Sequence, residues 1–277
     1  MGVIAAKVTS LRVLKEKQFT RIHIGIVFDK LLMTIKIKVV TRKYYHCQVV
    51  NIISESDLVK RYIIKVPDEI PFSFNPGQFV MLDLPIDSKY TNRSYSIASP
   101  PSDDNTFELV ISINPAGLGT PYLFHNITVG SFLKVSEVLG KFHLPYVIDT
   151  ELCFICTGTG IAPFRSMLLN IHDKNIPHKN ITMIFGNRFI KDILYYSEME
   201  ALQDKIQGFK FIPVLSRDNP EWQGRRGYVH PVYEELFADK RPAQFYLCGW
   251  AEMLHEARRR IEAMGYERMN IKFEIYD

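Results

Sequence analysis

Glu151-Leu152-Cys153-Phe154-Ile155-Cys156, running directly into Thr157-Gly158-Thr159-Gly160-Ile161-Ala162-Pro163, is the stretch that decides the fold. The apolar run reads as a buried strand. The glycines after it let backbone amides approach a pyrophosphate, and Pro163 is preset for the first turn of a helix. The loop is shorter than the full Gly-x-Gly-x-x-Gly, so its place between strand and helix carries the reading. Cys153 and Cys156 form a Cys-x-x-Cys, but residues three apart on a strand point to opposite faces. They are read as core residues, neither a redox pair nor metal ligands.

Downstream the same grammar repeats. Apolar strands at Leu152–Cys156, Ile181–Phe185, Phe209–Leu215, Gln244–Cys248 and Ile271–Ile275 alternate with helices at Ala162–His172, Ile193–Ile206, Pro231–Phe237 and Ala251–Met264. That alternation predicts a doubly wound parallel α/β domain over residues 148–277. Upstream the pattern is strand, turn, strand, at Cys47–Ile53, Tyr62–Val66, Gln78–Leu84, Ser94–Ala98, Phe107–Ile113 and Phe132–Glu137. Six short strands with Pro, Asn and Gly between them predict a six-stranded antiparallel Greek-key barrel over residues 45–147, with a short helix inserted at Leu118–His125. Residues 1–44 fit neither half and read as a basic arm of unknown role, strand-like only at Thr34–Val40.

The arm carries ten Lys or Arg against Glu16 and Asp29, so a net charge of +4 for all 277 residues leaves the body of the chain net acidic. Nothing in that balance suggests a nucleic-acid binder. Four cysteines form neither an iron–sulfur run nor a zinc site, so no metal is expected, and free thiols suit the cytoplasm. No apolar stretch is long enough to span a membrane. The N-terminus lacks a signal-peptide core, although its basic, acid-poor character weakly resembles a transit sequence.

Three further segments carry chemistry. Arg93-Ser94-Tyr95-Ser96 on a barrel strand offers a guanidinium fork for a phosphate, an aromatic ring on the same face, and a hydroxyl for a ring nitrogen. Arg and Tyr on a barrel face are commonly structural, but Gly117-Leu118-Gly119-Thr120 opens the inserted helix, and glycines before a helix N-terminus receive anions. Together they suggest a dinucleotide flavin. Ser216-Arg217-Asp218 and Gly224-Arg225-Arg226-Gly227-Tyr228 suit an adenosine 2′-phosphate, or are simply a charged loop. Cys248-Gly249 ends a strand, and the chain closes on Phe273-Glu274-Ile275-Tyr276-Asp277.

Taken in order, these segments resemble the ferredoxin–NADP reductase family over Cys47 to Asp277. Arg93–Ser99 is similar to its Arg-x-Tyr-Ser flavin motif, and Gly117–Thr120 to its pyrophosphate turn. Gly158–Ser166 matches its dinucleotide loop almost letter for letter. Phe185-Gly186-Asn187-Arg188 with Asp192, Tyr195 and Glu198 resembles a second signature. The resemblance implies an FAD-dependent oxidoreductase that exchanges a hydride with NADP(H), or NAD(H), and single electrons with a separate ferredoxin or flavodoxin, working as a monomer. It implies that Arg93, Tyr95, Gly117, Gly119, Thr120 and Tyr276 hold FAD. Thr157, Gly158, Thr159, Gly160, Pro163 and Gly249 would hold the dinucleotide, with Ser216, Arg217, Arg226 and Tyr228 at its 2′-phosphate. Ser96, Cys248 and Glu274 would line the hydride-transfer site. The segment Pro220–Val229 also resembles NADH-using reductase components of oxygenases, which leaves the dinucleotide and the partner open. Asp277 after the terminal aromatic departs from the pattern. A flavin-binding electron-transfer subunit without its own turnover fits less well, because the C-terminal cysteine cluster of such subunits is missing from this sequence.

Overall fold

The computed structural model describes residues 8–16, 19–28 and 31–39 as backbone strands, and residues 42–89, 91–217 and 220–276 in full. The chain divides into two units, Met1–Tyr44 and Tyr45–Asp277. In the first, β1 (Val8–Glu16), β2 (Phe19–Phe28) and β3 (Leu31–Val39) form an antiparallel meander in the order β1-β2-β3. The sequence reading anticipated only the last of these strands. Ile22, Ile24 and Ile26 of β2 stand in register with Ile37, Ile35 and Met33 of β3.

In the second unit, β4 (Tyr44–Ser56), β5 (Val59–Lys65), β6 (Phe79–Asp83), β7 (Asn92–Ser96), β8 (Thr106–Ser112) and β9 (Phe132–Ser136) build one antiparallel sheet in the order β7-β6-β9-β4-β5-β8. Its two edge strands meet where Ile97, just past β7, bridges Leu109 of β8. The Ala98 amide donates to the Glu108 carbonyl at 2.8 Å. This seam closes the barrel and removes the exposed edges. The interior is filled by Tyr62, Ile64, Val80, Leu82, Phe107, Leu109 and their neighbours. Helix α1 (Gly119–Asn126) follows β8, and Leu123 and Phe124 anchor it to that core.

The α/β half holds β10 (Glu151–Thr157), β11 (Ile181–Asn187), β12 (Phe209–Leu215), β13 (Arg225–Arg226), β14 (Ala243–Trp250) and β15 (Ile271–Tyr276), all parallel, in the order β13-β12-β11-β10-β14-β15. Leu152, Phe154 and Cys156 of β10 pack on one side with α2 (Ala162–Asp173) and α3 (Tyr196–Lys205). Cys153 and Ile155 pack on the other with α4 (His230–Leu236) and α5 (Ala251–Ala263). The sheet is therefore covered on both faces, and the two thiols lie in separate cores. All four cysteines are free and buried.

Two local differences from the sequence reading have physical causes. A 3₁₀ turn at Gly158–Ile161 intervenes before α2. Helix α3 starts at Tyr196 rather than Ile193, because Tyr195 adopts a left-handed backbone with φ of 54°. A non-glycine residue held there costs on the order of 1 kcal/mol or more, so something must hold it.

That something is a buried polar cluster at the barrel seam. Glu108 of β8 receives Nε and Nη2 of Arg61 at 2.8 Å each, and the Tyr195 phenol donates to it at 2.6 Å. Arg165 of α2 lies 3.5 Å from the same carboxylate, donates to Glu198 through Nε and Nη2, and gives Nη1 to the Ala98 carbonyl at 2.9 Å. The Tyr195 ring lies between the two guanidinium groups, 4.9 Å from Arg61 and 4.4 Å from Arg165. Burial opposes ionisation of Glu108, yet the Arg61 hydrogen bonds and the Arg165 charge overcome it and hold the carboxyl below its ordinary value.

Removing one partner of a buried ion pair strands the other. Glu108→Ala should destabilise the chain by about 3–5 kcal/mol in urea unfolding, whereas a loss within the roughly 1 kcal/mol of a surface pair would contradict this packing.

Candidate active site

The topological switch of the parallel sheet lies between β10 and β14, where a doubly wound fold binds its ligand at the strand ends. Backbone meets backbone there. A Cβ on Gly160 would come within 2.4 Å of the Cys248 carbonyl oxygen. One on Gly249, which has φ of +136°, would come within 2.3 Å of the Thr157 hydroxyl. The two loops interlock only because neither residue has a side chain. Thr157 Oγ1 accepts the Trp250 amide at 3.3 Å. Gly158 by contrast faces open space, with nothing within 4 Å of where its Cβ would stand. Pro163 sits in the first turn of α2. The loop from Thr157 through Thr159 to Pro163 thus presents a helix start to open space, the geometry a pyrophosphate needs.

The flavin-motif residues stand on the barrel side. A Cβ on Gly119 would lie 3.0 Å from the Arg93 side chain, so the guanidinium runs along the N-terminus of α1. No acidic residue occupies the first turn of that helix. A cation and the positive end of a helix in one place fit a diphosphate. Gly117 and Thr120 shape the preceding turn: the Gly117 amide donates to the Asn114 carbonyl at 2.9 Å, and Thr120 Oγ1 accepts the Asn114 amide at 2.8 Å. The Thr120 hydroxyl is therefore engaged in its own turn. Tyr95 is largely enclosed, and burial pushes its phenol up to about 12.

The two halves meet at Ser96. Its Oγ donates to Glu274 Oε2 at 2.9 Å, a hydrogen bond between residues 178 apart in the chain. Glu274 is the register partner of Cys248 on the adjoining strand. Burial raises the Glu274 carboxyl above its usual range, partly offset by the Ser96 bond. Burial, reinforced by Glu274, also pushes the Cys248 thiol well up. The Tyr276 hydroxyl is buried beside Ser96 and Cys248, and its phenol is raised by burial and by Cys248 and Glu274.

The remaining expected residues stand apart from this cluster. Ser216 donates to the Asn187 carbonyl at 3.2 Å, and Arg226 gives Nη2 to the Trp222 carbonyl at 2.7 Å. Arg217 and Tyr228 are exposed. Arg225 is committed to Glu235 through two bonds of 2.7 and 2.8 Å. Five strand spacings separate β13 from β15, on the order of 20 Å, a span for an extended ligand lying across the strand ends. Asp218 and Asp277 lie outside the described residues.

Arg61 and Glu108 were missed in the sequence. Their signal was a charge inside an apolar alternation, Glu108 within Phe107–Ile111 and Arg61 within Val59–Ile64. Trp250, 64% exposed beside the Thr157 loop, was missed too.

A glycine-bearing strand-to-helix loop facing a barrel with its own anion site defines a flavin and nicotinamide-dinucleotide oxidoreductase. The comparisons agree. Residues 46–144 match the oxidoreductase FAD-binding domain, and residues 154–259 the oxidoreductase NAD-binding domain. The chain is 32% identical over 230 residues to ferredoxin–NADP reductase B of Sorangium cellulosum, covering 80% of this chain and 93% of the relative. It is 31% identical to a glycine betaine monooxygenase reductase subunit of Pseudomonas aeruginosa, covering 82% of this chain but 63% of that protein. A cytochrome P450 reductase of Amycolatopsis shares the fold at a TM-score of 0.76 and 24% identity, covering 86% of this chain and 72% of its own. A ferredoxin NADP+ reductase of Neisseria gonorrhoeae with bound FAD and NADP does so at 0.70 and 22%, covering 84% and 98%. The chain belongs to the ferredoxin–NADP reductase family. It is an enzyme that moves electrons between a nicotinamide dinucleotide and FAD. Among the described residues no helix is long and apolar enough to cross a membrane.

Because the folded-state pKa of Glu274 is raised, the folded chain holds this proton more tightly than the unfolded one. Its contribution to stability is full below the ordinary value of 4.5 and is lost as pH rises through the raised value. Glu274→Gln should abolish that decline in urea midpoints measured against pH. It should also slow turnover by roughly tenfold to a hundredfold without changing the preferred dinucleotide. A variant with the wild-type pH profile and rate would remove Glu274 from the site.

Proposed function

We propose that this protein is an NADP(H)-dependent reductase that passes single electrons to or from a separate small carrier such as ferredoxin or flavodoxin. The observation that carries the reading is the Ser96–Glu274 hydrogen bond, which joins the flavin-motif strand to the C-terminal strand beside Cys248. FAD, when bound, takes up a hydride and releases its electrons singly. Arg93 and the N-terminus of α1 bind the FAD pyrophosphate, with Gly117 and Thr120 shaping the turn. Tyr95 and Tyr276 would hold the flavin ring between them, one at each face. The loop Thr157–Pro163, with Thr159 at its centre, binds the dinucleotide pyrophosphate, and Gly249 leaves room for it. Ser96, Cys248 and Glu274 orient the nicotinamide and keep water out. Ser216, Arg217, Arg226 and Tyr228 receive the 2′-phosphate.

In this reading the protein works as a monomer. Four buried free thiols fit a reducing compartment such as the cytoplasm. Residues 45–147 act as the FAD domain and residues 148–277 as the dinucleotide domain in this reading.

A second reading is favoured by the 31% identity to the glycine betaine monooxygenase reductase subunit. In it the chain is an NADH-dependent reductase component serving an oxygenase. The commitment of Arg225 to Glu235, which draws one of the two adjacent arginines away, is compatible with it.

Steady-state kcat/KM with NADPH and with NADH, using a one-electron acceptor, separates the two. The first reading expects NADPH to be preferred, and Arg217→Ala or Arg226→Ala to lower kcat/KM for NADPH about tenfold or more while sparing NADH. Preference for NADH with no effect of either substitution would overturn it in favour of the second.

A further inference from the structure

The buried cluster at the barrel seam has a consequence for the reaction itself. Arg165 and Ser166 are consecutive residues in the first turns of α2, the helix that continues the dinucleotide loop. Their side chains donate to consecutive carbonyls of the barrel, Arg165 Nη1 to Ala98 at 2.9 Å and Ser166 Oγ to Ser99 at 2.6 Å. Ala98 lies two residues beyond Ser96, the last residue of the strand that carries the flavin motif. The Glu108 amide donates to Ser99 Oγ at 3.0 Å, and the Glu108 carboxylate takes the Tyr195 phenol. Helix α2 thus ties the segment that follows the Gly158–Gly160 loop to the backbone two and three residues past Ser96.

We propose that Tyr195, with Glu108 and Arg165, is a positioning residue for hydride transfer: the clasp sets the distance between the dinucleotide loop and the flavin strand. Neither Tyr195 nor Glu108 belongs to the residues read as touching a cofactor. In the transfer the C4–H bond of the reduced nicotinamide breaks and its hydrogen and electron pair pass to the flavin ring, so the dinucleotide is oxidised as the flavin is reduced. A step of this kind depends steeply on separation, and a displacement of about 1 Å can cost a hundredfold in rate. Tyr195 is held in a left-handed backbone, its ring is fixed between two guanidinium groups, and its phenol has one acceptor. These three constraints hold the side chain in place, which is what a spacer between the barrel and the α/β half requires. A cluster that served stability alone would not need to engage the carbonyls next to the flavin motif.

The inference rests on the assignment of Arg93–Ser96 to the flavin and Thr157–Pro163 to the dinucleotide, and its test is chosen to separate the two. Tyr195→Phe keeps the ring and loses the hydrogen bond to Glu108. Glu198→Gln removes the charge that pairs with Arg165 Nε and Nη2 while leaving the Arg61–Glu108 pair in place. In the holoenzyme both variants should keep full FAD content and a dinucleotide KM within about twofold of wild type. The anaerobic rate of flavin bleaching should fall about tenfold, and the deuterium isotope effect from C4-deuterated dinucleotide should rise. Hydrogen exchange of the apoprotein should quicken at Ile97 and Ala98 in the same variants, a readout independent of turnover. Unchanged bleaching and unchanged isotope effects in folded variants with full FAD would overturn the positioning role and leave the site assignment standing. Loss of FAD, or a several-fold rise in KM, would instead place these residues in binding and overturn the positioning role as well. A wild-type protein that binds FAD but takes no hydride from either dinucleotide would overturn both.

Discussion

A carboxylate with almost no access to water has to be satisfied from within the protein, and in this chain that carboxylate is Glu108. Its partners come from both sides of a domain boundary: Arg61 from the barrel, Arg165 and Tyr195 from the α/β half. Two charges and a phenol gathered around one buried group are costly to separate, because each partner would be left desolvated and unpaired. The barrel closes at this point through Ile97, Ala98 and Glu108, so closure of one domain and docking of the other share the same few residues. Elsewhere between the two halves, Phe142 packs edge-on against Phe164 and Tyr246 at 5.8 and 5.5 Å.

The site depends on that arrangement. Ser96 sits two residues before the seam and Gly160 a few residues before Arg165, so fixing the seam fixes both. The Ser96–Glu274 bond then appears where the flavin strand faces the edge strand β15. Burial there keeps Glu274, Cys248 and Tyr276 in their uncharged forms over a wider pH range than in water. An uncharged, water-poor pocket is the setting in which a hydride can move without a competing proton.

Much of this was legible in the sequence, and the reasons differ by element. The Cys153–Cys156 run and the glycines behind it named a parallel sheet because strand, tight loop and Pro163 must occur in that order for a helix to pack back on its strand. The opposite-face argument for the two thiols followed from the period of a strand alone. The clasp was harder. Tyr195 and Glu198 stood in a signature whose purpose the sequence does not state, and Glu108 is one letter in an apolar strand. Its partners are 47 and 87 residues away, and no local rule connects them. The start of α3 was misplaced for the same reason, since a tertiary hydrogen bond decides the backbone of Tyr195. The first two strands of the N-terminal meander were hidden in the sequence because Lys and Arg stand among the Ile and Val residues that form them.

The central claim is that the seam makes the barrel and the α/β half one cooperative body. Calorimetric unfolding of a chain beginning at Lys43 tests it most directly. The account predicts a single transition whose calorimetric enthalpy equals its van't Hoff enthalpy, and which splits in two when Glu108 is replaced by Gln. Two separate transitions in the unsubstituted chain, or one transition that survives the replacement intact, would contradict it.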